Sequence, residues 1–253
     1  MRKFLLGAVF AVLATPAMAQ SDVTVKVITP AVTANAGLRD LAIGYEKQKG
    51  IKVQVITMSM GKMVEEMKSG NPPADIVFLP YGLMDQAQTD KDVTSRINIG
   101  RVRIGLAVHK GDPAPDVSTV EKLAAVLKSA DSVMYSNPDP KNGSMAAQMI
   151  DKMLNRPEFA GVKRKISPFG EGGQALARGE GQMALQLICE IVNHPDALTN
   201  AGPVPDSLGA YIDSAAAVSS RAPHPREAAD FLKYATQEGT YSLWLGKGLE
   251  RMK

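Results

Sequence analysis

The chain has 253 residues, 45% of them hydrophobic, enough for one large domain or two lobes without disulfide staples. Its formal charge is +3, and Arg2 and Lys3 account for most of that, so the rest of the chain is nearly neutral. That balance excludes an electrostatic footprint for nucleic acid or for an acidic membrane surface. One cysteine, Cys189, rules out an internal disulfide, and 5% aromatic residues argue against ring-stacking sugar sites.

The first segment reads as an export signal. Arg2 and Lys3 precede an apolar run from Phe4 to Leu13, and small residues at Ala17 and Ala19 suit a peptidase that cuts after Ala19. The run is too short for a bilayer, which needs ~20 residues, so no stable membrane insertion is expected. The expected product is a free periplasmic protein.

The mature chain alternates strands and helices. Val23 to Ile28 alternates as a half-buried strand, and Thr29 to Asn35 is a small, polar loop. Leu38 to Lys49 predicts an amphipathic helix stopped by Gly50, and Lys52 to Ile56 a second strand. Ser59 opens a helix that runs to Gly70, and Ile76 to Leu79 is an unbroken apolar run suited to a buried strand. Farther on, strands are predicted at 103–108, 132–135, 183–188 and 213–219, and helices at 120–130, 145–154, 172–178 and from His224. This order is the grammar of an α/β sheet covered by helices.

Ligands of such sheets bind where strands end and helices begin. Four loops there are rich in Gly, Ser, Thr and Asn: 29–35, 58–62, 137–144 and 170–174. Free N–H groups and hydroxyls at helix starts favour a small anion, although each loop taken singly is more often a cap or a turn, and the case rests on the four converging. Metal chemistry has no support, because His109, His194 and His224 lack ligand spacing and the methionines sit at core spacing. Cys189, five residues before His194, reads as a buried small hydrophobe at a strand end.

The ordered set of Gly44 to Gly50, Ser59, Pro73-Ala74-Asp75, Ala177-Arg178-Gly179-Glu180 and the helical tail from Pro225 resembles the periplasmic molybdate-binding proteins of ABC importers. The resemblance implies the type II periplasmic-binding-protein fold, two α/β lobes with a ligand cleft between them. Lobe 1 would be 20–102 with 212–253, and lobe 2 would be 103–211. It further implies anion contacts from Thr33, Ser59, Gly61, Asn142, Gly143, Ser144 and Gly172, with Gln186 in the same cleft. No cofactor is implied; the partners are a small anion and importer membrane subunits, and the protein would be a monomer. The family's capping tyrosine falls on Leu187, which cannot donate a hydrogen bond. Tyr135-Ser136, Ser95-Arg96, Gln186, Cys189 and Glu190 are similar instead to a divergent branch that includes an aconitate isomerase. For a carboxylate ligand, Arg101 at the first crossing offers a bidentate fork, with a surface hinge residue as the alternative.

Two functions follow. The first is capture of a small anion, an oxyanion or a carboxylate, for an importer. The second is a cofactor-free isomerase of a tricarboxylic acid, in which Glu171 carries the proton and Glu190 and Asp75 are weaker options.

Overall fold

The structure, a computed structural model, describes residues 22–141, 143–168 and 170–252. The segment read as an export signal and Asn142 lie outside the described residues.

Strand β1 (Thr24–Thr29) lies between β2 (Lys52–Thr57) and β3 (Ile76–Pro80), parallel to both. Their alternation is of the expected kind, with Val25 and Val27 buried in β1. A helical stretch connects β1 to β2, and it begins earlier than the sequence predicts. Helix α1 (Ala31–Thr33) follows Pro30 directly, a wide π-type turn spans 34–38, and α2 (Arg39–Lys49) continues to Gly50. The small, polar stretch predicted as a loop is thus helical, because its alanines favour a helix and Ala34 and Ala36 are small enough to be buried there. Gly37 has a φ of 126°, and a side chain there would press on the Leu243 carbonyl at 3.3 Å. Leu38, Leu41, Ala42 and Tyr45 are buried, as their spacing predicts, and Tyr45 meets the rings of Phe231 and Tyr234.

Helix α3 (Met60–Ser69) links β2 to β3, and α4 (Tyr81–Thr89) follows β3. Strand β4 (Ile97–His109) is more than twice the predicted length. Its first part pairs antiparallel with β9 (Tyr211–Val218) and its second with β7 (Met183–Leu187) and β8 (Leu198–Pro203). Between them lie α5 (Val120–Ser129), β5 (Val133–Tyr135), α6 (Met145–Leu154), β6 (Arg164–Ile166) and α7 (Gly172–Ala177). After β7 comes the short α8 (Ile188–Ile191). The tail supplies α9 (Pro225–Thr236), α10 (Glu238–Gly246) and β10 (Leu249–Glu250), which pairs with β4.

The strands run in the order β2-β1-β3-β9-β4-β7-β5-β6. The sheet is therefore mixed, and its two parallel halves meet through antiparallel β9, β4 and β7. One apolar cluster takes side chains from both halves: Val27, Phe78 and Trp244 on one side, Ile104, Leu123 and Leu185 on the other. Two smaller clusters lie on the outer faces, under α3 and α4 and under α7 and α8.

Candidate functional site

The strands of each half end at the same edge as the loops singled out in the sequence. β1 leads into α1 there, and β7 leads into α8. The two meet directly, since the Cys189 thiol lies 3.7 Å from the Val32 carbonyl and Asn193 donates to the Asn35 carbonyl at 3.3 Å. Thr33, next to Val32, is 1% exposed, and its hydroxyl has no hydrogen-bond partner among the described residues. An unsatisfied buried hydroxyl costs roughly 1–3 kcal/mol, so a group that satisfies it gains that much.

Glu190 on α8 is 8% exposed and is hydrogen-bonded to Glu171, the residue that precedes α7. Gln186, in β7, joins both. Its carbonyl accepts the Gly172 N–H at 3.0 Å, and its amide N–H donates to Glu190 Oε2. Gly172 can serve there only as glycine, because an added Cβ would lie 2.7 Å from Tyr135 Cα. Ser167 steadies the same loop by donating to the Glu171 carbonyl at 3.0 Å.

The electrostatics follow from that geometry. Burial and the neighbouring Glu171 carboxylate push Glu190 up to about 8, partly offset by the donors from Gln186 and the Leu187 backbone. Burial also raises Glu171, while His194 opposes the rise. Two carboxyls in contact cannot both ionise cheaply, so they hold one proton between them near neutral pH. Burial and the two carboxylates push the Cys189 thiol far above its usual range, which removes it as a nucleophile.

The remaining candidates have other positions. Ser59 is exposed just before α3 and makes no capping bond, and Gly61 faces open space in its first turn. Gly143 donates its N–H to the Asp139 carbonyl at 2.7 Å, closing its own turn. Ser144 caps α6 by accepting the Ala147 N–H at 3.0 Å. Arg101 forks onto Asp213 at 2.7 and 2.9 Å and stacks on Tyr211 at 3.5 Å. It lines a separate cavity of about 390 Å³ with Arg103, Asp206, Glu250 and Arg251. Asp75, the third carboxylate considered, is 1% exposed at the opposite end of β3 and accepts the backbone N–H groups of Lys26 and His224 at 2.8 and 2.7 Å. Among the described residues, no cluster of three or more His, Cys, Asp or Glu could hold a metal, and no helix is long and apolar enough to cross a membrane.

Of these residues the structure brings together Glu171, Gly172 and Gln186 and joins Glu190 to them, while Thr33 lies on α1, whose Val32 carbonyl meets Cys189. The sequence signal for Glu190 is its place directly after an apolar strand, where a carboxylate is costly unless it has a purpose.

Comparison with known proteins agrees with this architecture. An aconitate isomerase from Pseudomonas sp is 28% identical over 228 residues, covering 87% of this chain and 85% of the relative. A substrate-binding domain from Clostridium difficile superposes with a TM-score of 0.74 at 12% identity, over 92% of this chain and all of the other. The periplasmic molybdate-binding protein of Azotobacter vinelandii gives a TM-score of 0.66 at 16% identity, over 90% of this chain and all of the other. The model of the bacterial extracellular solute-binding protein family matches residues 25–250, so the chain belongs to that family and carries the mixed α/β periplasmic-binding fold.

Proposed function

We propose that the chain binds a small polycarboxylic acid between its two halves and shifts a proton along it, interconverting cis and trans isomers of an unsaturated tricarboxylate. The observation that carries this reading is the buried, hydrogen-bonded carboxyl pair Glu171–Glu190, held by Gln186; Thr33 adds an unpartnered hydroxyl on α1, the element that touches Cys189. A site made only to hold an oxyanion gains nothing from two carboxyls, which repel the ligand. A site that must take up and return a proton near neutral pH needs a carboxyl tuned to that range. The 28% identical aconitate isomerase supports the same chemistry.

In this reading Thr33 donates to a ligand carboxylate, and Glu171, the more accessible carboxyl, faces the carbon framework. Glu171 as carboxylate takes a methylene proton. The electron pair moves through the adjacent double bond, the former double bond becomes single and rotates, and the proton returns at the far allylic carbon. Glu190, behind Glu171, holds the second proton position. Atoms and charge balance without a cofactor. Residues 20–102 with 212–253 and residues 103–211 act as the two lobes, and residues 1–19 are removed on export.

A second reading, delivery of an anion to importer subunits, is favoured by the fold shared with the tungstate ABC transporter protein of Geobacter sulfurreducens, at 19% identity and a TM-score of 0.59. The deciding experiment incubates residues 20–253 with cis- and trans-aconitate in heavy water under proton NMR. Interconversion with deuterium at the allylic carbons, reduced ~10²-fold or more in Glu171→Gln, supports the isomerase. Tight binding without exchange, or binding of molybdate or tungstate alone, replaces it with the import reading.

A further inference from the structure

We propose that Gln186 does not contact the ligand but is a positioning residue, an amide clamp that holds Glu190 against Glu171. This rests on the isomerase reading of the same pair.

The orientation of the amide is fixed from one side. Gln186 Oε1 accepts the Gly172 N–H at 3.0 Å, and an N–H can be paired only with the oxygen end. The NH₂ end must then point to Glu190, where it donates to Oε2. That bond fixes one edge of the Glu190 carboxyl, the group that also meets Glu171. Gln186 is 2% exposed and sits one residue before Leu187, whose backbone N–H also faces the Glu190 carboxyl. Both donors favour the ionised form of Glu190, while burial and Glu171 favour the neutral form.

The clamp has a geometric purpose. Glu171 precedes α7 and Glu190 lies on α8, two elements joined through β7. Gln186 contacts the first residue of α7 and the carboxyl on α8 at once. Without it, two carboxyls that repel when ionised lose the side chain that ties the start of α7 to Glu190. The other titratable groups around the pair are His194, which favours ionised Glu171, and the Cys189 thiol, which stays neutral. Neither bridges the two elements.

Two variants separate the contacts. Gln186→Leu, of similar size, removes both. Gln186→Glu keeps an acceptor for Gly172 but, when ionised, cannot donate to Glu190. The direct readout is the carboxyl titration by ¹³C NMR of protein labelled at glutamate, assigned with Glu190→Gln and Glu171→Gln. The upper titration of the pair should rise by about one pH unit in both Gln186 variants, since a donor to the charged form is lost. The pH–rate profile with aconitate should move with it, and kcat should fall about tenfold or more with little change in KM. Conformational stability, measured alongside, tells a folding loss from a loss of the clamp. An upper titration unmoved in folded Gln186→Glu overturns the proposal. A shifted titration in a protein that converts no aconitate overturns the isomerase reading and leaves the clamp standing.

Discussion

Replacing Glu190 by glutamine should remove most of the pH dependence of stability between pH 5 and 8. In the folded protein Glu190 is raised to about 8, against an ordinary value of 4.5. Between those values the native state holds a proton that the unfolded state has released. The unfolding free energy therefore falls as pH rises, by ~1.4 kcal/mol for each pH unit. Below 4.5 both states are protonated and the term is flat. Above 8 the loss is complete, at about 5 kcal/mol if the whole shift belongs to this carboxyl. Because Glu171 shares the proton, the transition belongs to the pair. From pH 5 to 7.5 the wild type should lose roughly 3 kcal/mol, or roughly 6–12 °C in midpoint for a chain of this size. Glutamine keeps an acceptor for Gln186 and a donor for Glu171 but never ionises. Glu190→Gln should therefore be flatter with pH and more stable than wild type above pH 7. Urea unfolding of both proteins at half-unit pH steps measures this directly. Parallel pH curves for the two proteins would refute the reasoning, because they would mean that Glu190 titrates alike in both states.

Three other variants test separate parts of the structure. Thr33→Val removes an unpartnered buried hydroxyl, so the free protein should gain about 1 kcal/mol in urea unfolding while ligand affinity, by calorimetry, falls about tenfold; weakened binding without the stability gain would mean that the hydroxyl was already satisfied. Arg101→Lys gives up the fork onto Asp213 and the stacking on Tyr211, so it should cost about 1–2 kcal/mol of stability with Kd unchanged; a large loss of affinity would bring Arg101 into the ligand site. Asp75→Ala strands the backbone donors of Lys26 and His224 and should cost about 3 kcal/mol, with isomer interconversion intact in the folded fraction.

The local parts of this fold were legible in the sequence, and the contacts across it were not. Gly50 ends α2 in the left-handed conformation, and Pro225 opens α9, because those signals act within a few residues. The apolar spacing of α2, α5 and α6 matches their buried faces. Helix α4 was missed because it follows Pro80 with no break in composition, and the first half of β4 because Asn98 and Gly100 interrupt its apolar pattern. The site divides in the same way. Glu171 and Thr33 stand in segments whose composition marks them, although the one around Thr33 is helical. That Glu190 would meet Glu171 depends on how β7 sets α8 beside α7, which no spacing along the chain encodes. In this structure the Gly143 N–H and the Arg101 fork are engaged by Asp139 and Asp213, and the Ser144 hydroxyl accepts the Ala147 N–H.

The largest apolar cluster, drawn from both sides of β4, has a thermodynamic consequence. Neither side can melt alone without exposing oil that the other side had been covering, and the strand they share cannot fray from one without losing its register in the other. Heat should therefore take the molecule apart in a single sharp step, with matching calorimetric and van 't Hoff enthalpies. A chain cut at the crossing should yield two fragments that fold only when mixed. A ligand seated in the cleft would then stabilise the whole molecule, residues far from the site included.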